Sequence, residues 1–182
     1  MDFSNSLLHW YLQEKRDLPW RNTTNPYPIW LSEIILQQTR VAQGLPYFNS
    51  FIEHFPTIFD FSAANEQEVL KLWQGLGYYS RARNMHKTAQ YIVSELAGEF
   101  PTSYVGLLEV DGVGPDTAAE MASFSFNEVV PVVDGNVYRV LSRYFGIETD
   151  ISSSRARKEF FDLAQLLISK DNPAMFNQAI ME

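Results

Sequence analysis

Val110-Asp111-Gly112-Val113-Gly114 reads as a tight hairpin between two helical runs, and Val133-Asp134-Gly135-Asn136-Val137 follows about two dozen residues later. Two glycines around one apolar residue let the backbone turn sharply while its N–H groups point outward at a helix N-terminus, a geometry that grips a phosphate. The Asp at a fixed distance downstream then sets a carboxylate near whatever carries that phosphate. Glycine in a helix–helix turn also has a purely conformational reading, so the hairpin alone leaves both open.

Outward from the hairpin the chain reads as helix after helix, with no period-two strand longer than a few residues, so the fold class is all-α. Phe3, Leu7, Leu8 and Tyr11 recur at helical spacing, and Leu18-Pro19-Trp20 stops that run. Further helices are expected from Pro28 through Gln38, from Val41 to Phe55 with a kink at Pro46, and after an Asn65–Glu68 capping box. Others follow over Ser80–Leu96, Ser103–Val110, Asp116–Phe126, Asn136–Phe145, with Gly146 as C-cap, and Ser153–Ile168. The last pattern, Phe176, Ala179 and Ile180, is still helical at Glu182, as in a chain cut short.

At 182 residues and 46% apolar content the chain can bury a sizeable core. Neither a membrane-length apolar run nor a signal peptide is present, so a cytoplasmic location is expected, at the nucleoid in a bacterium. With no cysteine, disulfides and thiolate metal sites are excluded. His9, His54 and His86 lack ligand spacing and read as surface or hydrogen-bonded side chains.

The net charge of −8 is unusual for a chain that would bind a polyanion. Residues 101–133 hold Glu109, Asp111, Asp116, Glu120 and Glu128 and no Lys or Arg, so the segment with the hairpin supplies −5 of it. Basic residues gather instead as Arg81, Arg83 and Lys87, and as Arg139 and Arg143 one helical turn apart, where they could meet phosphates.

Glu33 lies within Ile29-Trp30-Leu31-Ser32-Glu33-Ile34-Ile35-Leu36-Gln37-Gln38 and shares its surroundings with large apolar side chains and two amides. Burial would lift its pKa from about 4.3 toward the range of a general acid. The other reading is an amphipathic helix with Glu33 in water. Gly75-Leu76-Gly77-Tyr78-Tyr79 presents two aromatic rings on a turn, as a functional wedge or as loop anchors.

Together, Trp30-Leu31-Ser32-Glu33, Leu36-Gln37-Gln38-Thr39-Arg40, Gly75 to Asn84, the glycine hairpin and Val133 to Val137 resemble the helix-hairpin-helix adenine DNA glycosylases of the MutY type. The motifs keep that family's order and spacing from about Leu18 to Glu182. The sibling endonuclease III type carries different residues at Leu36–Thr39 and at Asp134–Asn136.

The resemblance implies two helical lobes with the active-site cleft between them: a six-helix barrel over residues 26–133, and a second lobe from 1–25 plus 134–182, incomplete at its C-terminus. It implies no cofactor in this chain and an iron–sulfur cluster beyond Glu182 in the full-length protein. The implied partner of a monomer is duplex DNA with adenine opposite 8-oxoguanine or guanine, and no membrane. Glu33 would protonate adenine N7 and later activate water. Asp134 would stabilise the sugar cation or attack C1′, with Asn136 orienting it or the water. Arg16, Trp20, Arg21 and Gln38 would line or support the base pocket. Tyr78 and Gln38 would enter the duplex as a wedge, and Gly112, Val113, Gly114, Arg81 and Arg83 would meet the DNA backbone. Strand-cleaving relatives use a lysine just past the hairpin, where this chain has Asp116, so base excision without strand cleavage is expected.

This chain departs from the pattern at Asp111, Asp116 and Glu120, each adding negative charge where a phosphate would sit. A catalytically silent helix-hairpin-helix module that binds DNA or a protein is the alternative; it would need neither Glu33 nor Asp134. A purely structural scaffold leaves Tyr78 and the hairpin without a role.

Overall fold

The computed structural model describes residues 2–182. Among them lie eleven α-helices, one 3-10 turn and no strand. Helix α1 (Phe3–Glu14) is capped by the Asp2 side chain and ends well before Pro19, because the chain turns extended at Lys15. A 3-10 turn at Pro19–Arg21 leads to α2 (Pro26–Leu36), where Pro26 opens the first turn and Asn25 accepts from the Tyr27 N–H at 3.1 Å. Helix α3 (Val41–His54) runs through Pro46.

The short α4 (Ile58–Ala63), absent from the expected helices, is held by a reciprocal Thr57–Asp60 capping box. It makes seven helices of residues 26–133, where six were expected. Helix α5 (Glu66–Trp73) has the Asn65–Glu68 capping box anticipated for it. Then come α6 (Tyr79–Glu95), α7 (Tyr104–Leu108) and α8 (Pro115–Phe126). Last are α9 (Gly135–Phe145), which ends at a left-handed Gly146, α10 (Ser154–Leu167) and α11 (Pro173–Met181).

Two hydrophobic clusters give the molecule its lobes. The larger runs from Leu18 to Val132 and centres on aromatic rings, with Phe61 6.4 Å from Trp30 and 5.9 Å from Phe51, and Phe51 6.0 Å from Trp73. Deleting such a ring costs about 3–5 kcal/mol. The smaller packs Val137, Leu141, Phe160 and Phe176 against Phe3, Leu7 and Leu8 of α1. Leu18 and Trp20 belong to the larger cluster, so the chain crosses between lobes just after α1.

The lobes are joined where α11 packs on α8. Asn177, fully buried there, donates from Nδ2 to Ser123 Oγ at 3.0 Å and to the Val130 carbonyl at 2.9 Å, and its Oδ1 accepts from the Val132 N–H at 3.1 Å. His9 and His54 are exposed as expected, but His86 is buried with Nε2 unpaired, its ring 5.4 Å from that of Phe61. Its position on the inner face of α6 wins over the polarity of its ring.

Candidate active site

Between the lobes lies a cleft of about 920 Å³. Its walls come from the turn before α2, from α2 itself and the loop after it, from α8, from the start of α9 and from α11. Of the residues singled out from sequence, Arg16, Trp20, Arg21, Glu33, Gln38, Asp134 and Asn136 all line it. No period or local motif relates them. They meet because α2 and α9 approach the same opening from opposite lobes.

Glu33 projects from the middle of α2 into the cleft, with Ile34 and Ile35 of the same helix buried in the core behind it. Its pKa is pushed up to about 8, first by desolvation and then by the negative charges of Asp134 and Asp116. A carboxyl in this state holds a proton at neutral pH, as a general acid must. Glu33 is thus half-buried at the cleft and not a freely solvated face residue.

Asp134 is the N-cap of α9 and also a wall of the cleft. Its Oδ1 accepts from the N–H groups of Asn136 and Val137, both at 2.9 Å, and its Oδ2 from the Asn136 side-chain amide at 2.9 Å. Capping thus fixes the carboxylate with three donors, and Asn136 is tied to it directly.

Tyr78 and Gln38 are exposed, with φ of 47° and 55°, and Gln38 lines the cleft. A left-handed backbone costs a non-glycine residue about 1–2 kcal/mol. Both exposed residues therefore hold backbone strain. The loop that carries Tyr78 is fixed from below. The Trp73 Nε1–H donates to the Gly77 carbonyl at 2.8 Å, and Gly75 has φ of 101° with the Tyr47 hydroxyl where a Cβ would lie.

The hairpin turns at Gly112, whose φ is 87° and whose missing Cβ would meet Thr88 Oγ1 at 2.5 Å. Thr88 Oγ1 in turn donates to the Asp111 carbonyl at 2.8 Å. Val113 is buried and spends its N–H on the Val110 carbonyl, so of the three hairpin residues it is turned inward; Gly114 caps α8 with open space around it. Arg83 pairs with Glu66 at 3.3 Å, and Arg81 is turned beneath the rim, its Nη1 donating to the carbonyls of Ile34 and Gln37.

Several site residues carry no signal in the sequence. Glu182, almost fully buried, binds Arg16 through Nε at 2.8 Å, Nη2 at 3.0 Å and the backbone N–H at 2.9 Å, and lies 2.7 Å from Arg21 Nη1. Desolvation opposes its charge, yet these arginine hydrogen bonds bring its pKa down to about 2. Gln178 also faces the cleft, as does Arg139, one of the basic residues noted in the sequence. Glu120 is buried in the cleft wall with Oε2 unpaired, away from the hairpin surface where it was expected to meet a phosphate. Burial raises the pKa of Asp116, Arg157 pulls it down and Asp134 raises it. No group of His, Cys, Asp and Glu side chains among the described residues is arranged to hold a metal.

A family model described as "HhH-GPD superfamily base excision DNA repair protein" matches residues 31–165. An adenine DNA glycosylase of Rattus norvegicus is 44% identical over 99% of this chain and 37% of its own length. One of Buchnera aphidicola subsp. Acyrthosiphon pisum is 39% identical over 99% of this chain and 52% of its own. The chain thus spans about a third to a half of the curated relatives it matches. The solved structure of a thermostable thymine-DNA glycosylase superposes with a TM-score of 0.89 at 26% identity, covering 98% of this chain and 82% of that one.

Proposed function

Because the chain belongs to the HhH-GPD superfamily of base excision DNA repair proteins, we propose that it is a monofunctional DNA glycosylase that hydrolyses the N-glycosidic bond of adenine mispaired with 8-oxoguanine or guanine. The observation that carries the reading is the pairing of a proton-holding Glu33 with a rigidly capped Asp134 across one cleft. The similarity to adenine DNA glycosylases supports the choice of base.

The flipped adenine enters between the lobes, while Tyr78 and Gln38 occupy the space it leaves in the duplex. Stacking worth about 1–3 kcal/mol offsets part of an unstacking cost of a few kcal/mol. Glu33 gives its proton to N7, the bond from C1′ to N9 breaks with its electron pair going to the base, and positive charge develops on the sugar. Asp134, held by Asn136 and two backbone N–H groups, faces that charge. Glu33, now a carboxylate, takes a proton from the water that adds to C1′. Arg16, Arg21 and Trp20 bound the base, and Gly112 and Gly114 bring backbone close to a phosphate. No lysine occurs between Lys87 and Lys158, so no amine follows the hairpin to form a Schiff base and cut the strand.

The chain has no cysteine, so its own residues do not fit a cysteine-ligated iron–sulfur cluster. Among the described residues no helix is long and apolar enough to cross a membrane. The proposed enzyme acts as a monomer where the cell keeps its DNA.

The test is single-turnover adenine release from a duplex with A opposite 8-oxoguanine, for the chain and for Glu33→Gln, with duplex binding measured for both. The expected result is release by the chain, slowed at least a hundredfold in the variant with binding kept. Binding without release would instead support a silent DNA-binding module.

A further inference from the structure

We infer that Arg81 is the positioning residue of the wedge: one guanidinium, lodged between the end of α2 and the start of α6, holds Gln38 and Tyr78 in their left-handed conformations before DNA arrives. The inference rests on the glycosylase reading for its purpose, but not for its geometry. Arg81 Nη1 donates to the Ile34 carbonyl at 3.2 Å and to the Gln37 carbonyl. The second acceptor belongs to the Gln37–Gln38 peptide, so the bond fixes the plane on which the φ of Gln38 is built. A cation at the carbonyl end of α2 also suits that helix's dipole.

The same guanidinium lies 5.6 Å from the Tyr78 ring and 5.2 Å from the Trp73 ring. Cation–π attraction therefore draws the wedge tyrosine toward the group that orders Gln38. The Arg81 backbone N–H donates to the Tyr78 carbonyl at 2.9 Å, closing the first turn of α6 on a residue with no side-chain cap. Gln38 and Tyr78 are two of four non-glycine residues with positive φ among the described residues. The others, Ala97 and Asn127, follow the ends of α6 and α8, where a left-handed residue closes the last turn. Arg81 Nε and Nη2 are buried without a protein partner, beside a cavity of about 100 Å³ that reaches Gly112 of the hairpin. The guanidinium is thus turned inward, away from a surface where a phosphodiester could take it.

Hydrogen exchange of the protein without DNA tests this, comparing Arg81→Met and Arg81→Lys with the unaltered chain. Exchange at Thr39 and at residues 78–81 is expected to rise about tenfold in Arg81→Met and less in Arg81→Lys, with the other helices unchanged. Unchanged exchange at either segment overturns the inference. With DNA, Arg81→Met is expected to weaken binding to the mispaired duplex about tenfold, and to a duplex with an abasic analogue at the adenine position less than twofold, with the salt slope preserved. Equal losses on both duplexes, with a slope shallower by about 1, would make Arg81 a phosphate ligand and overturn it. Failure of the glycosylase reading shows separately, as no adenine release by the unaltered chain.

Discussion

On the proposed mechanism, Glu33 couples catalysis to stability through one proton. With its pKa near 8, roughly 90% of the acid form is present at pH 7. Adenine release is therefore expected to be level through neutral pH and to fall above about pH 8. Asp116→Asn removes one of the charges that raise Glu33, so the falling limb should move to lower pH, read from single-turnover rates between pH 6 and 9.5. Stability follows the same proton. The folded state keeps it up to about pH 8 while the unfolded chain releases it near the ordinary carboxyl value of 4.5, so stability from Glu33 is present below that value and lost as pH rises through the window. Glu33→Gln should melt above the unaltered protein at pH 9 and level with it at pH 4, by thermal unfolding.

At the scale of elements, the turn before α2 is held to α11 by the contacts of Glu182 with Arg16 and Arg21. Because the Glu182 carboxyl is held down to about 2, its contribution is full above the ordinary 4.5 and is lost as pH falls through 2. Glu182→Gln is expected to cost about 2 kcal/mol by denaturant unfolding at pH 7, and to weaken substrate binding as Arg16 and Arg21 lose their orientation. This contact was not legible in the sequence, since Arg16 and Glu182 stand 166 residues apart. Most helices were legible, because apolar spacing and caps such as Asn65 and Gly146 are local. Helix α4 was not: six residues are too few to show a period, and Thr57 with Asp60 is a shorter-armed form of the Ser/Thr–Glu box. The pattern located Glu33 on its helix, but its direction came only with the packing of Ile34 and Ile35.

At the scale of the whole molecule, two acidic side chains stand where the proposed duplex would approach. Asp111 is exposed at the hairpin tip and Asp116 beside it faces the cleft. Asp111→Lys should tighten duplex binding and steepen its salt dependence by about one counterion, measured by titration from 50 to 200 mM salt. The two lobes keep separate cores; no sequence pattern marks their boundary, which only the family resemblance implies, and Asn177 at their junction reads in sequence as one more polar residue of a C-terminal helix. Its three buried hydrogen bonds span α11, α8 and the 130–132 segment. Opening the lobes there would break all three at once, which favours a mouth of constant width. On the glycosylase reading, a mouth of constant width would admit a duplex most readily at mispaired steps, which kink most cheaply, so part of the selection would precede any reading of the base.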